Sequence, residues 1–501
     1  MDLKTAKELL MKMQAKASAY AHAVDLLSFD GETVAPPKTV SNRAHALEIL
    51  NEEIYRLTTS EETVELLDFL GEHKEELDAK EKRMVEILSR DLKFMRSIPM
   101  DEYIAYEKLL VEAGEAWKEA KNNNDFDHFA PFLEKVFAAV KKSAAYVDPS
   151  IDPYDFWLNE FEEGLTREFC EKFFEEIKER IVPLIHKISE RPQVDDSCLK
   201  GDFPEFKQEA LSYYLMDVIG LDKDHVGLST IEHPCTISLG SHLDERITTH
   251  YHRENVASSL YSVVHEGGHA LYDTGSADDL VYTVLDGGVS MAIHESQSRF
   301  YENIIGRSRA FIEWILPKMK ELFPEKYNDV TADELYKAVN RVEPSFIRTE
   351  ADEVTYSLHV LIRYELEKKL FSGEISVRDL PTEWNKLYKE YLGIDVPDDT
   401  QGVLQDVHWS DGLIGYFPSY AIGSAYGAQF LAKMKESVDV DGCISRGDIG
   451  QINEWNREHI WKYGSSKTPK EILEIALGGE PFSTDYYVNY LEKKVSEIYG
   501  L

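Results

Sequence analysis

His265-Glu266-Gly267-Gly268-His269 places two imidazoles four residues apart, with a glutamate directly after the first. Positions four apart share one face of an α-helix, so both rings can reach a single cation. Glu266 stands one residue off that face, close enough to touch a water on the same cation. Zinc accepts neutral imidazole readily and keeps a place for water when the protein supplies only three ligands. The HExxH spacing works on a helix, and it is the pattern of a metal-dependent peptidase.

The surrounding residues supply that helix. Val256 through Asp273 reads as one helix, capped by Asn255, ended near Gly275 and buried through Val263, Val264 and Leu271. Gly267 and Gly268 at its middle each cost about 1 kcal/mol relative to alanine, which implies backbone access or close packing there. A third ligand has to come from another segment. Gly287-Gly288-Val289-Ser290 leads into His294-Glu295-Ser296-Gln297-Ser298-Arg299, where a second helical stretch begins. Glu295 would complete a set with His265 and His269 and leave the fourth place to water; His294 and Glu302 are its rivals. The metal lowers the pKa of that water to about 7. Glu266 then takes its proton as general base and later passes it to the leaving amine. The oxyanion formed on attack needs a further donor, and tyrosine and histidine side chains elsewhere are the candidates.

Composition narrows the setting. A chain of 501 residues can bury a large core, and length alone allows about two to four domains. No apolar run is long enough to cross a bilayer. Met1-Asp2-Leu3-Lys4 passes at once into an amphipathic pattern and not a signal core. Cys170, Cys198, Cys235 and Cys443 stand far apart with no CxxC pair, which points to free thiols in a reducing cytoplasm. A formal net charge of −37 repels nucleic acid phosphates and anionic membranes, so neither is an expected partner. The same field obliges specific arginines to hold any substrate carboxylate.

Apolar spacings of three and four predict helices over Leu3–Leu27, Ser41–Leu57 (with Ser41 as N-cap), Glu62–Leu70, Glu81–Phe94, Tyr103–Lys121, Phe129–Tyr146 and Arg167–Ile188. Further ones follow over Ile293–Phe323, Glu353–Phe371, Tyr420–Lys435, Ile449–Tyr463 and Tyr486–Tyr499. Ala35-Pro36-Pro37 and Asp148–Tyr154 read as loops. Thr236 to Tyr251 is the exception: short β-branched runs flank Gly240-Ser241-His242, the signal of a β-hairpin. With no repeat and no linker, the pattern gives one mainly α catalytic domain over 1–501, with a small β-ribbon beside the motif helix.

Several segments in fixed order carry a family resemblance. They are His233-Pro234, Asp244-Glu245-Arg246-Ile247-Thr248, the HExxH itself, Glu295-Ser296-Gln297, Ile347-Arg348-Thr349-Glu350-Ala351-Asp352, Gly402-Val403-Leu404-Gln405-Asp406-Val407-His408-Trp409 and Gly415-Tyr416-Phe417-Pro418-Ser419-Tyr420. Together they resemble the carboxypeptidase Taq family of zinc metallocarboxypeptidases, with the catalytic motifs lying within residues 233–420. The resemblance implies a two-lobed helical fold with a deep substrate groove and the removal of C-terminal residues from peptides with a free carboxyl end. It also implies zinc or cobalt as the divalent metal, and a homodimer. Carried over, His265, His269 and Glu295 become the ligands and Glu266 the base. Arg348, with Arg246 second, is the expected anchor for the terminal carboxylate, because a guanidinium matches that planar anion. Tyr420 and His408 are the expected oxyanion donors, and Asp352 and Asp406 the groups that orient them. Two departures stand out: Cys235 follows His-Pro where the family usually has an aromatic, and Phe29-Asp30 stands where Trp-Asp is commoner.

Overall fold

Helices dominate the computed structural model, which describes residues 1–501, and contacts divide them into two compact units. The first unit holds Met1–Met95, Asp195–Val339 and Gly427–Phe482; the second holds Arg96–Val194, Asn340–Tyr426 and Ser483–Leu501.

In the first unit the opening helix runs Leu3–Thr33, one turn and more beyond the predicted end, with the Asp2 carboxylate accepting from the Thr5 amide at 2.9 Å. Its Ala6, Leu10 and Met13 join Leu66, Leu67, Leu70, Leu280 and Leu285 in a shared apolar core. The helix predicted to start behind Ser41 instead begins at Val40, directly out of a 3₁₀ turn at Pro37–Thr39. The fixed φ of Pro37 already winds the chain, so no side-chain cap is used and Ser41 falls inside.

The expected hairpin is present but belongs to a larger sheet. Strand β2 (Thr236–Ser238) pairs antiparallel with β3 (Glu245–Thr249), and β1 (Val226–Thr230) pairs parallel with β3 on its other side. β1 was not legible because Gly227 interrupts an already short run. That glycine faces Arg246 across the ladder, and a Cβ there would lie 3.0 Å from Arg246 Cδ. The connection from β2 to β3 turns at Gly240, whose φ of +72° suits glycine. A Cβ at Gly240 would also strike the opening helix, which donates Ser18 Oγ to the Gly240 carbonyl at 2.7 Å.

The motif helix spans Val256–Thr274, and the Asn255 side chain accepts from the Ala257 amide, as the sequence predicts. It lies on β3, where Thr249 Oγ1 is 2.6 Å from Ser262 Oγ of the helix. A helix the sequence reading passed over, Glu205–Ile219, covers another side. Its inward Leu211, Leu215 and Ile219 are masked in the pattern by Phe206 and Tyr213, which are exposed. The long helix predicted over Ile293–Phe323 is three pieces: an α-helix Met291–Arg299, a π-helical stretch Phe300–Ile305, and a new helix Arg309–Leu322 behind the Ser308 cap.

The second unit packs helices Met100–Asn123, Phe126–Val147, Arg167–Ser189, Tyr356–Ser372, Leu380–Leu392 and Asp485–Tyr499. Asp148–Tyr154 is a loop only to Asp152, which caps a helix over Pro153–Phe161. Arg363 is buried with no exposure and Trp384 with 1%. A guanidinium that deep requires a full set of acceptors.

Candidate metal centre

The motif helix and the helix after it face each other so closely that their glycine is obligatory. A Cβ at Gly268 would lie 2.7 Å from the Gln297 carbonyl oxygen and from Ser298 Cα, both backbone. The approach carries Glu295 to the two histidines: its Oε2 is 3.8 Å from His265 Nε2 and 3.7 Å from His269 Nε2. A tetrahedral cation with bonds of about 2.0–2.2 Å separates its ligand atoms by about 3.4 Å, so this donor set fits zinc or a similar ion. The three ligand atoms all lie within 4.8 Å of one another.

The two rival ligands hold other places. Glu302 Oε2 accepts from or faces His265 Nδ1 at 2.9 Å, and His294 Nδ1 faces His269 Nδ1 at 3.0 Å. Glu302 comes within reach because the π-helical stretch shifts the phase of the helix beyond Arg299. Arg299 ties both acids together, with Nε donating to Glu295 Oε1 at 2.6 Å and Nη1 to Glu302 Oε2 at 3.1 Å. Arg307 Nη2 adds a contact to Glu302 Oε1 at 3.2 Å.

Glu266 is 7% exposed, and the Thr236 hydroxyl on β2 lies 2.8 Å from its Oε2. Burial pushes the Glu266 carboxyl up, partly offset by His265 and Thr236 and reinforced by Glu295 and Glu302. A carboxylate raised in this way is the better base near neutral pH. Burial opposes a charged His265, but Glu295, Glu302 and Glu266 outweigh it and raise its pKa. His269 goes well below the usual range, from burial first and then from His265 and His294. Glu302 is held far below the ordinary carboxylate range, because Arg299, His265 and Arg307 overcome its burial.

Residues 9–495 match the carboxypeptidase Taq (M32) metallopeptidases. The chain belongs to that family. It is 38% identical over 503 residues to carboxypeptidase 1 of Bacillus subtilis, covering all of both chains. It is 36% identical over 494 residues to thermostable carboxypeptidase 1 of Pyrococcus furiosus, covering 98% of each. Among solved structures, an M32 carboxypeptidase from Deinococcus radiodurans superposes with a TM-score of 0.96 at 34% identity, over 99% of this chain and all of that one. The protein is therefore a metallocarboxypeptidase acting on peptides, with a mainly helical M32 fold.

The remaining candidates of this M32 chain divide between the units. Arg246, on β3 in the first unit, pairs with Asp244 and donates from Nη1 to the Glu245 carbonyl at 2.8 Å. Arg348, His408 and Tyr420 lie in the second unit. Arg348 donates Nε and Nη2 to Asp406 Oδ1 at 3.0 and 2.9 Å, and Nη1 to the Tyr356 hydroxyl at 3.1 Å. Arg363, which the sequence reading missed, reaches Asp406 Oδ2 from Nε at 2.8 Å and Gln405 Oε1 from Nη2 at 2.8 Å. Two guanidiniums thus share one carboxylate, and Asp406 is driven far below its ordinary range against its burial. His408 Nε2 lies 3.3 Å from the Tyr420 hydroxyl, and burial followed by Arg348 lowers its pKa to about 4. Asp406 thus holds the guanidiniums of Arg348 and Arg363. Asp352 instead accepts from the Thr355, Val354 and Glu343 amides and fixes the start of a helix.

Cys235 leaves the ribbon intact. Its backbone pairs with Thr248 through both the amide and the carbonyl, whatever side chain stands there. Phe29 is an ordinary position within the opening helix. Thr236, Arg299 and Arg363 were missed because nothing local marks a threonine or arginine as facing a distant carboxylate.

Proposed function

We propose that the chain is a zinc-dependent carboxypeptidase of broad specificity, with Glu266 as general base and His265, His269 and Glu295 as ligands; cobalt is the alternative ion. The observation that carries this is the convergence of both Nε2 atoms and Glu295 Oε2, with Glu266 beside them. When bound there, a divalent cation supplies Lewis acidity, lowering the pKa of a water to about 7 and polarising the scissile carbonyl.

The chain's own residues do the rest. Glu266 takes a proton from the attacking water at a carboxylate oxygen and delivers it to the departing nitrogen. Thr236 holds Oε2, so the carboxylate keeps one orientation. Arg348 is the anchor for the terminal carboxylate. Three of its five N–H groups are engaged, and with Arg363 it leaves one positive charge beyond what Asp406 neutralises. A buried excess cation favours an anion. Arg246 is the second choice because Asp244 already pairs with it. His408, neutral near pH 7, and Tyr420 serve as donors to the oxyanion.

The single catalytic domain over 1–501, the deep substrate groove, the homodimer and the cytoplasmic setting belong to the same proposal. Free thiols at all four cysteines favour the last, and no helix is long and apolar enough to cross a membrane. Mass spectrometry on a free-acid peptide and its C-terminal amide tests the reading. The free acid should lose single residues in succession and the amide should stay intact. Glu266→Gln should keep its metal while turnover falls roughly 10²–10⁴-fold. Internal cuts, or equal cleavage of the amide, would overturn the exopeptidase assignment.

A further inference from the structure

A neutral imidazole carries one ring proton, so a histidine that coordinates through Nε2 must keep that proton on Nδ1. For His265 the matter is settled directly, since its Nδ1 lies 2.9 Å from a Glu302 carboxylate oxygen, which can only accept. His269 differs. Its Nδ1 faces another imidazole nitrogen, Nδ1 of His294, at 3.0 Å. One of the two must donate and the other accept. Were His294 the donor, the His269 proton would sit on Nε2 and block coordination.

The far side of the His294 ring decides. His294 Nε2 is 3.1 Å from Asp273 Oδ1. An ionised carboxylate accepts only, so the single proton of a neutral His294 goes to that side and leaves Nδ1 bare. We propose that Asp273 and His294 act as a positioning pair that fixes the Nδ1–H tautomer of His269 and so prepares its Nε2 for the cation. The proposal rests on the reading of His265, His269 and Glu295 as the ligand set.

The pair sits in a built seat. The Gly288 amide donates to the same Asp273 Oδ1 at 3.0 Å, and the Val289 amide donates to the Tyr272 hydroxyl at 3.1 Å. A Cβ at Gly288 would collide with the His294 ring and lie 2.7 Å from Tyr272 Cε1. The Tyr272 ring lies against His294 with centroids 4.8 Å apart. The last turn of the motif helix therefore holds both the carboxylate and the loop that makes room for the relaying ring.

Two isosteres separate this role from packing. Asparagine puts its amide oxygen near the place of Nδ1, whereas glutamine puts its polar end near the place of Nε2. In chelator competition with Zn(II) and Co(II), His294→Asn should bind close to wild type, while His294→Gln and His294→Phe should lose about 10–100-fold. Nitrogen NMR of the metal-free protein at alkaline pH should show His269 as the Nδ1–H tautomer, and Asp273→Asn, nearly isosteric, should give a mixture. A wild-type His269 protonated on Nε2, or a His294→Gln variant that binds metal as tightly as His294→Asn, would overturn the proposal. The tautomer signal needs neither metal nor substrate, so a failure of the peptidase reading would show in the peptide assay and leave this result untouched.

Discussion

Glu367 shows how far the fold bends the chemistry of a single side chain. It has no exposure, and its carboxylate accepts from Trp409 Nε1 at 2.7 Å, the Tyr154 hydroxyl at 2.9 Å and the Gly415 amide at 2.9 Å. Burial nevertheless wins and raises its pKa from 4.5 to about 7. A carboxyl whose folded pKa is raised contributes its full stability below the unfolded value and loses it as pH rises through the folded one. Between pH 4.5 and about 7 the protein should therefore lose stability from this residue, by about 3 kcal/mol at most. Glu367→Gln removes that slope. Its melting temperature relative to wild type should climb across the window and then level off; a gap independent of pH would show that Glu367 is ionised throughout. Glu245 follows the same sign, its pKa raised by burial first and then by Asp273, against the lowering effect of Ser238.

At the scale of elements, the two central glycines of the motif helix are unequal. Gly267 faces the flexible tip of Ile219, which can rotate aside, whereas Gly268 faces the backbone of Gln297 and Ser298, which cannot. Alanine gains about 1 kcal/mol of helix propensity at either site. At Gly268 overpacking should cost about 1–3 kcal/mol, move Glu295 away from the histidines and weaken metal binding. Gly268→Ala should therefore melt below Gly267→Ala and bind Zn(II) less tightly; the reverse order in calorimetry and chelator titration would mean the helices separate freely. The sequence showed that close packing was needed at this pair of residues, but not which partner each one meets. The π-helical stretch at Phe300–Ile305 was not legible at all, because Glu302 within it meets His265, at 2.9 Å, only in the folded chain.

Across the whole molecule the charge of −37 sets a field that opposes anionic substrates. Salt shortens the reach of that field, from about 30 Å at 0.01 M to about 8 Å at 0.15 M. KM for peptides ending in acidic residues should fall severalfold over that range, with a much smaller change for basic peptides. Steady-state kinetics at several ionic strengths would check this, and equal salt effects on both substrates would remove the role of the global field.

The residues alone determined the mainly helical fold and put His265, His269 and Glu266 together on one helix. Each follows from local periodicity or from a spacing the backbone must honour. Tertiary structure decided what local spacing cannot encode. It set Glu302 against His265 Nδ1 and His294 against His269 Nδ1. It added β1 to the ribbon, and it gathered Arg348 and Arg363 on one Asp406. Those outcomes depend on which distant groups burial forces together, since a charged or polar atom taken from water must find its partner wherever the packed chain supplies one.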